Sequence, residues 1–212
     1  MTVETLHNRV LFLLQKDQGG FFNPEEIDAA FNKVQLDYLN KLLDTTQNKI
    51  GQPQGVGSHA DLKRALQPFT RSISITTGVN GLYTFLPDVA HFRGIETRDE
   101  EVTVSELPDR LSSSIIAPTA SRPVFIQQNN GLKFYPAGEY SKVMHYIKYP
   151  INVLFDYSIS GRQVVYNAAG STDPEWGDIE MEVLVRKTAE LIASNNQDYE
   201  VRNFEYQKTA QE

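Results

Sequence analysis

The sequence predicts an α+β protein: an N-terminal helical hairpin, a β-rich antiparallel middle, and a C-terminal helix followed by an extended or helical tail. Three observations carry that prediction. Apolar residues recur every three or four positions up to about residue 67 and again from residue 173, the period of a helix with one buried face. Between those stretches the period shortens to two, and Gly, Pro and Asn punctuate short runs of Val, Ile, Phe and Tyr. The composition, 40% hydrophobic and 22% charged, is that of an ordinary soluble chain.

In chain order, a first helix is expected over Thr2 to Lys16, with Leu6, Val10, Leu13 and Leu14 as its stripe, Thr2 as N-cap and Gly19-Gly20 as its end. A second opens at Asn23-Pro24-Glu25-Glu26, where Asn23 caps, Pro24 suits the first helical position and Glu26 closes a capping box. Its stripe is Ile27, Ala30, Phe31, Val34, Tyr38 and Leu42, running to about Gln47. Ile50 to Gly57 reads as a loop, and Ser58 with Asp61 starts a short helix through Leu62 and Leu66.

After Pro68, Ile73 and Ile75 share one face of a strand, Gly78 to Gly81 turns, and Leu82 to Leu86, Val89 to Thr97 and Glu101 to Val104 read as further strands. Ser105 to Ser114 suits a helical turn. A three-strand meander is expected over Pro123 to Gln128, Leu132 to Tyr135 and Ser141 to Tyr149, its first turn taking positive φ from Asn129-Asn130-Gly131. Ile151 to Ser158 is aromatic and apolar without clean alternation, and Gln163 to Tyr166 is a last short strand. Asp173-Pro174-Glu175 is a helix start with Asp173 as cap, Met181, Leu184, Val185, Thr188, Leu191 and Ile192 give the buried face, and Asn195-Asn196 ends it.

A chain of 212 residues can bury one sizeable core. One α+β domain is expected over 1–196, divided into a helical part (1–67), a β-rich part (68–167) and a helix (173–195), with 197–212 as a tail. No apolar run approaches the ~20 residues of a membrane helix, and Met1 leads into an amphipathic segment, which predicts a cytosolic origin. The absence of cysteine removes disulfides and thiolate chemistry. A net charge of -7 argues against binding nucleic acid without regard to sequence, because such binders hold phosphates with an excess of Lys and Arg.

No motif assembles an active site. His7 and His59 read as surface residues, and His145, on a strand, as a packing or interface residue more than a catalyst. Metal and phosphate-loop motifs are absent, so no cofactor is expected. Glu175, Asp178 and Glu182 are spaced three and four apart, on one helix face. They would suit either a solvated face favourable to the helix dipole or a hard divalent cation. Trp176 suits a core edge or an interface equally. Tyr199, Val201, Phe204 and Tyr206 are too few to build a core and predict a tail that frays or docks on a partner.

Several short elements together resemble the head-to-tail joining (neck, ring or adaptor) proteins of tailed bacteriophages, and among them those of crAss-like and other Bacteroidetes-infecting podoviruses. They are the Lys-Asp-Gln end of the first helix, Asn-Pro-Glu-Glu-Ile with Phe31, Asn32 and Gln35, Arg122-Pro123, Phe134-Tyr135-Pro136, Tyr146-Ile147-Lys148-Tyr149-Pro150 and the late acidic helix, covering about residues 5 to 195. The resemblance implies a non-enzymatic virion subunit, assembled in the bacterial cytoplasm into a homo-oligomeric, dodecameric ring. It also implies portal and other neck or tail rings as partners, DNA only as passing cargo, and no membrane. Trp176, Tyr199, Val201, Phe204 and Tyr206 are then the candidate interface residues. Two alternatives stand beside it: a metal-dependent hydrolase built on Glu175, Asp178, Glu182 and His145, and a monomeric adaptor that binds peptides at a sheet edge.

Overall fold

The computed structural model describes residues 1–15, 23–47, 56–96, 99–160 and 163–209. Its elements are α1 (Val3–Gln15), α2 (Pro24–Gln47), α3 (Val56–Leu66), a 3-10 turn (Gln67–Phe69), β1 (Thr70–Thr76), β2 (Leu82–Thr84), β3 (Val89–Ile95), β4 (Glu100–Glu101), α4 (Leu107–Ser112), β5 (Val124–Gln128), β6 (Gly131–Tyr135), β7 (Ser141–Lys148), β8 (Tyr157–Ser160), β9 (Gln163–Tyr166) and α5 (Asp178–Thr209). Helices at both ends of the chain flank antiparallel sheets, and α5 packs on α1 and α2, so the fold is the α+β class that periodicity predicts. None of the described helices is long and apolar enough to cross a membrane. Where one domain was expected, contacts divide the chain into two compact units, Met1–Pro68 with Pro150–Glu212, and Phe69–Tyr149. Residues 150–167, expected with the β-rich part, belong to the helical unit.

In the helical unit, Val3, Leu6, Val10 and Leu14 of α1, Ile27, Phe31, Val34 and Leu39 of α2, and Met181, Leu184, Val185 and Ile192 of α5 are all buried. The expected N-caps of the first two helices are present. Thr2 Oγ1 accepts from the Thr5 N–H, and Asn23 Oδ1 from the Glu25 N–H. The expected end at Gly19-Gly20 lies outside the described residues, while α3 begins at Val56, two residues before Ser58.

The C-terminal helix departs from expectation at both ends. Asp173 caps a different helix: its Oδ1 accepts from the Val3 N–H of α1 at 2.8 Å. Trp176 is drawn into the core immediately after Pro174-Glu175, so helical geometry starts only beyond it, and the first intrahelical bond runs from Met181 N–H to Gly177 C=O. At the other end the helix passes through Asn195-Asn196 to Thr209. Asparagine costs a helix only about 0.7 kcal/mol relative to alanine, and neither Gly nor Pro follows to break it.

A polar stripe on α2 fastens an extended segment to this unit. Asn32 Oδ1 accepts from Val153 N–H at 2.7 Å and its Nδ2 donates to Val153 C=O at 3.0 Å. One turn earlier Asp28 Oδ2 accepts from Phe155 N–H at 2.7 Å, and one turn later Gln35 Nε2 donates to Ile151 C=O at 3.0 Å. Residues four apart on a helix are ~6 Å apart along its axis and alternate strand residues ~6.6 Å, so the two repeats stay in step for these three contacts. On its other side the segment pairs Leu154 with Thr172, and Asp156 N–H reaches Ser171 Oγ. It then continues into β8, which pairs with β9 in a hairpin; β8 has no alternating pattern in the sequence.

The β-rich unit is two sheets, ordered β1-β7-β3 and β2-β6-β5-β4, antiparallel except for the two-residue parallel pairing of β4 with β5. The expected meander is therefore only a hairpin. β5 and β6 pair from Val124↔Tyr135 to Gln128↔Gly131, but β7 leaves for the centre of the other sheet, between β1 and β3. β2 occupies the remaining edge of β6, and β7 buries Met144 and Tyr146 on one face and Ile147 on the other, which suits a central strand. Ile75, Phe92, Met144 and Tyr146 of the first sheet form one core cluster with Phe125, Leu132 and Phe134 of the second. Rings follow one another through it at centroid spacings of 5.9, 5.9, 5.5 and 5.6 Å from Phe85 through Phe92, Phe125 and Phe134 to Tyr140.

The hairpin glycine has another role than the one expected. Among the described residues only Gly81 and Gly94 have positive φ, so the Asn129-Asn130 turn needs none. Gly131 is instead the first residue of β6, where an added Cβ would lie 1.9 Å from the Tyr83 carbonyl oxygen of β2.

Two substitutions test these packings. Gly131→Ala pushes β2 off β6, with an expected loss of about 2–3 kcal/mol in denaturant unfolding. Asn32→Asp keeps the acceptor for Val153 N–H but sets a carboxylate oxygen against Val153 C=O, with an expected loss of about 2–4 kcal/mol; unchanged stability would show that the stripe does not hold the segment.

Candidate functional site

The residues singled out from sequence are drawn into structural work at separate places. Trp176 is only 4% exposed: its Nε1 donates to Gln35 Oε1 at 3.2 Å and its ring meets Tyr38 edge-on. It is a core residue of the helical unit and not an open interface. The three carboxylates are spent on three partners. Glu175, ahead of the helix, accepts from Ile151 N–H; Asp178 faces the Met1 amino group at 3.6 Å; Glu182 pairs with Arg9. His145 belongs to the other unit, where its Nδ1 lies 2.7 Å from Ser72 Oγ. Those two residues are directly opposed on β7 and β1, so sheet pairing alone brings them together. Tyr199, Val201, Phe204 and Tyr206 stand on the last turns of α5, and their side chains lie outside the described residues, as does that of His59.

His7, expected at the surface, is buried. Its ring stacks on Phe155 with centroids 4.3 Å apart, and its Nε2 lies 2.7 Å from Asp28 Oδ1. Asp28 so joins α1 to the extended segment, which it also holds through Phe155 N–H. The sequence carried a signal for this: Asp28, Asn32 and Gln35 interrupt the apolar stripe of α2 at i, i+4 and i+7, the positions a helix buries. His91 of β3 is half-buried, and that burial, with Arg93 nearby as the smaller cause, holds its pKa below the ordinary histidine value.

What sequence reasoning passed over is an ordered apolar loop in the β-rich unit. Val104 is 70% and Ile115 90% exposed, and Leu111 and Ile116 are exposed as well. The segment is held in place. Val102 is buried and donates its N–H to Phe125 C=O at 2.9 Å, and Glu106 Oε2 accepts from both the N–H and the hydroxyl of Thr103. Those two bonds favour the charged carboxylate and lower the Glu106 pKa. Arg110 pairs with Glu100, and Ser113 Oγ accepts from the Ile115 and Ile116 N–H groups. The loop thus shows water two isoleucines, a valine and a leucine on a backbone held by its own hydrogen bonds.

No protein-family model matches the chain, and no curated protein matches it either.

A second surface lies in the helical unit. Between α2 and α5 is an open groove of about 550 Å³ with Val34, Tyr38 and Leu191 in its wall and Lys33, Lys41 and Lys187 around it. Lys187 Nζ sits 5.7 Å from the centre of the Tyr38 ring, within reach of a cation–π contact. Asp37 and Glu190 are the acidic members of the lining.

His91 gives a pH prediction. A folded-state pKa below the unfolded value of ~6.5 means that the unfolded chain binds the proton more readily, so stability is full above pH ~6.5 and falls as the pH drops below it. The Tm should therefore fall between pH 7.5 and 5.5, and less so in His91→Gln; an equal fall in both proteins would exclude His91 as a source.

Proposed function

We propose that this chain is a non-enzymatic structural subunit of a tailed-phage neck, forming an oligomeric ring that joins the portal and capsid to the tail and lets DNA pass. The observation that carries the reading is the ordered apolar loop ending at Ile115 and Ile116, a surface built to be covered, on a chain that also resembles neck proteins in its short sequence elements. A closed ring needs two unlike faces on each subunit, because head-to-tail contacts are heterologous. The loop and the lysine-lined groove are two such unlike surfaces. Exposed Ile159 and Val165 on the β8–β9 hairpin offer a third for layers above or below. The net charge of -7 suits a channel that must not hold passing phosphates.

The last turns of α5 are the further candidate contact. α2 and α5 run antiparallel, with Leu42 near Ile179 and Val34 near Leu191. At ~1.5 Å per residue, α2 begins, at Pro24, opposite about residue 201, so Phe204 and Tyr206 stand beyond its N-terminal end.

Sedimentation of the purified chain, alone and with a portal ring, tests the reading: higher oligomers or a portal complex are expected, and a chain that remains monomeric in both would overturn it. Truncation after Asn196 should leave the Tm nearly unchanged while assembly is lost; Ile192 is the last buried residue of α5 among those whose side chains are described.

A further inference from the structure

We propose that the loop over residues 100–116 of one copy seats in the α2–α5 groove of the next copy, as the repeating head-to-tail contact. The inference rests on the ring reading and names its contact.

Charge and shape point the same way. The loop carries four carboxylates, Glu100, Glu101, Glu106 and Asp109, against one guanidinium, Arg110, which is itself tied to Glu100. The groove reverses the balance, with three lysines against two carboxylates on a chain whose overall charge is -7. A locally basic site on an acidic protein attracts an acidic partner surface such as this loop. The apolar components match as well. Ile115 and Ile116 project from a loop whose backbone is already fixed by Ser113, so little conformational entropy is lost on docking. A cavity of ~150 Å³ accommodates benzene, so a groove of about 550 Å³ has room for both isoleucines against Val34, Tyr38 and Leu191. The two surfaces differ from each other, so repeated from copy to copy they make a heterologous, head-to-tail contact of the kind a ring uses.

The chain has no cysteine, so single introduced thiols report the contact without background. Ile115→Cys and Ser194→Cys change exposed residues, one on the loop and one in the groove lining, and both variants should keep the parent Tm. Mixed and oxidised in the oligomer, alone or on a portal ring, they should give a covalent dimer far in excess of what either gives by itself. In parallel, Lys33→Glu with Lys187→Glu should weaken association roughly tenfold, and chains carrying Glu101→Lys with Asp109→Lys should restore it. A mixed yield no higher than the single yields, or charge reversal without effect, overturns the inference. If the parent chain still sediments as an oligomer in that case, the ring reading survives; if it is monomeric alone and with the portal ring, both fall.

Discussion

The helical unit depends on a helix doing the work of a strand. Asp28, Asn32 and Gln35 offer the extended segment 151–155 the hydrogen bonds that a neighbouring β-strand would otherwise supply, one contact per helical turn to one per alternate strand residue. Each of these side chains reaches further: Asp28 to His7, Gln35 to the indole of Trp176 and to Asn32. The segment is thus locked to α1, α2 and the approach to α5 at once. Such a network tolerates little change, since removing one member takes the hydrogen-bond partner from another. Among the described residues no buried side-chain nitrogen or oxygen is left without a hydrogen-bond partner.

The β-rich unit is held differently, by apolar faces and aromatic rings. Its polar exception is Thr77, which is buried, donates to Gly138 C=O and accepts from Tyr140 N–H, and so closes the connection that carries the chain into β7. The interior is secured by ring packing, and of the loop around α4 only Val102 is buried. Val104 and Ile115 are among the most exposed large apolar side chains described, which is why this loop invites a functional explanation.

The periods of the sequence were legible wherever one face of an element alone decides burial. The stripes of α1 and α2, apart from Leu13, which is exposed, the caps at Thr2 and Asn23, and the last strand Gln163–Tyr166 are examples. Failures came where a residue's partner lies far along the chain. His7 looks like a surface residue until Phe155 and Asp28 close over it, and Asp173 looks like the cap of the helix it precedes, although α1 takes its carboxylate. The candidate interface suffered in the same way. Trp176 was drawn inside, while the exposure of Ile115 and Ile116 has no signature in a short apolar pair.

Local chemistry in the sequence therefore determined the class of the protein, the order of its elements and most of their boundaries, because periodicity, caps and turns act over a few residues. Only the tertiary structure decided which strand joins which sheet, which polar side chains are buried and which apolar ones are left outside. Those outcomes turn on competition among distant segments for the same edges and the same space: β2 holds the edge of β6, and β7 pairs with β1 and β3.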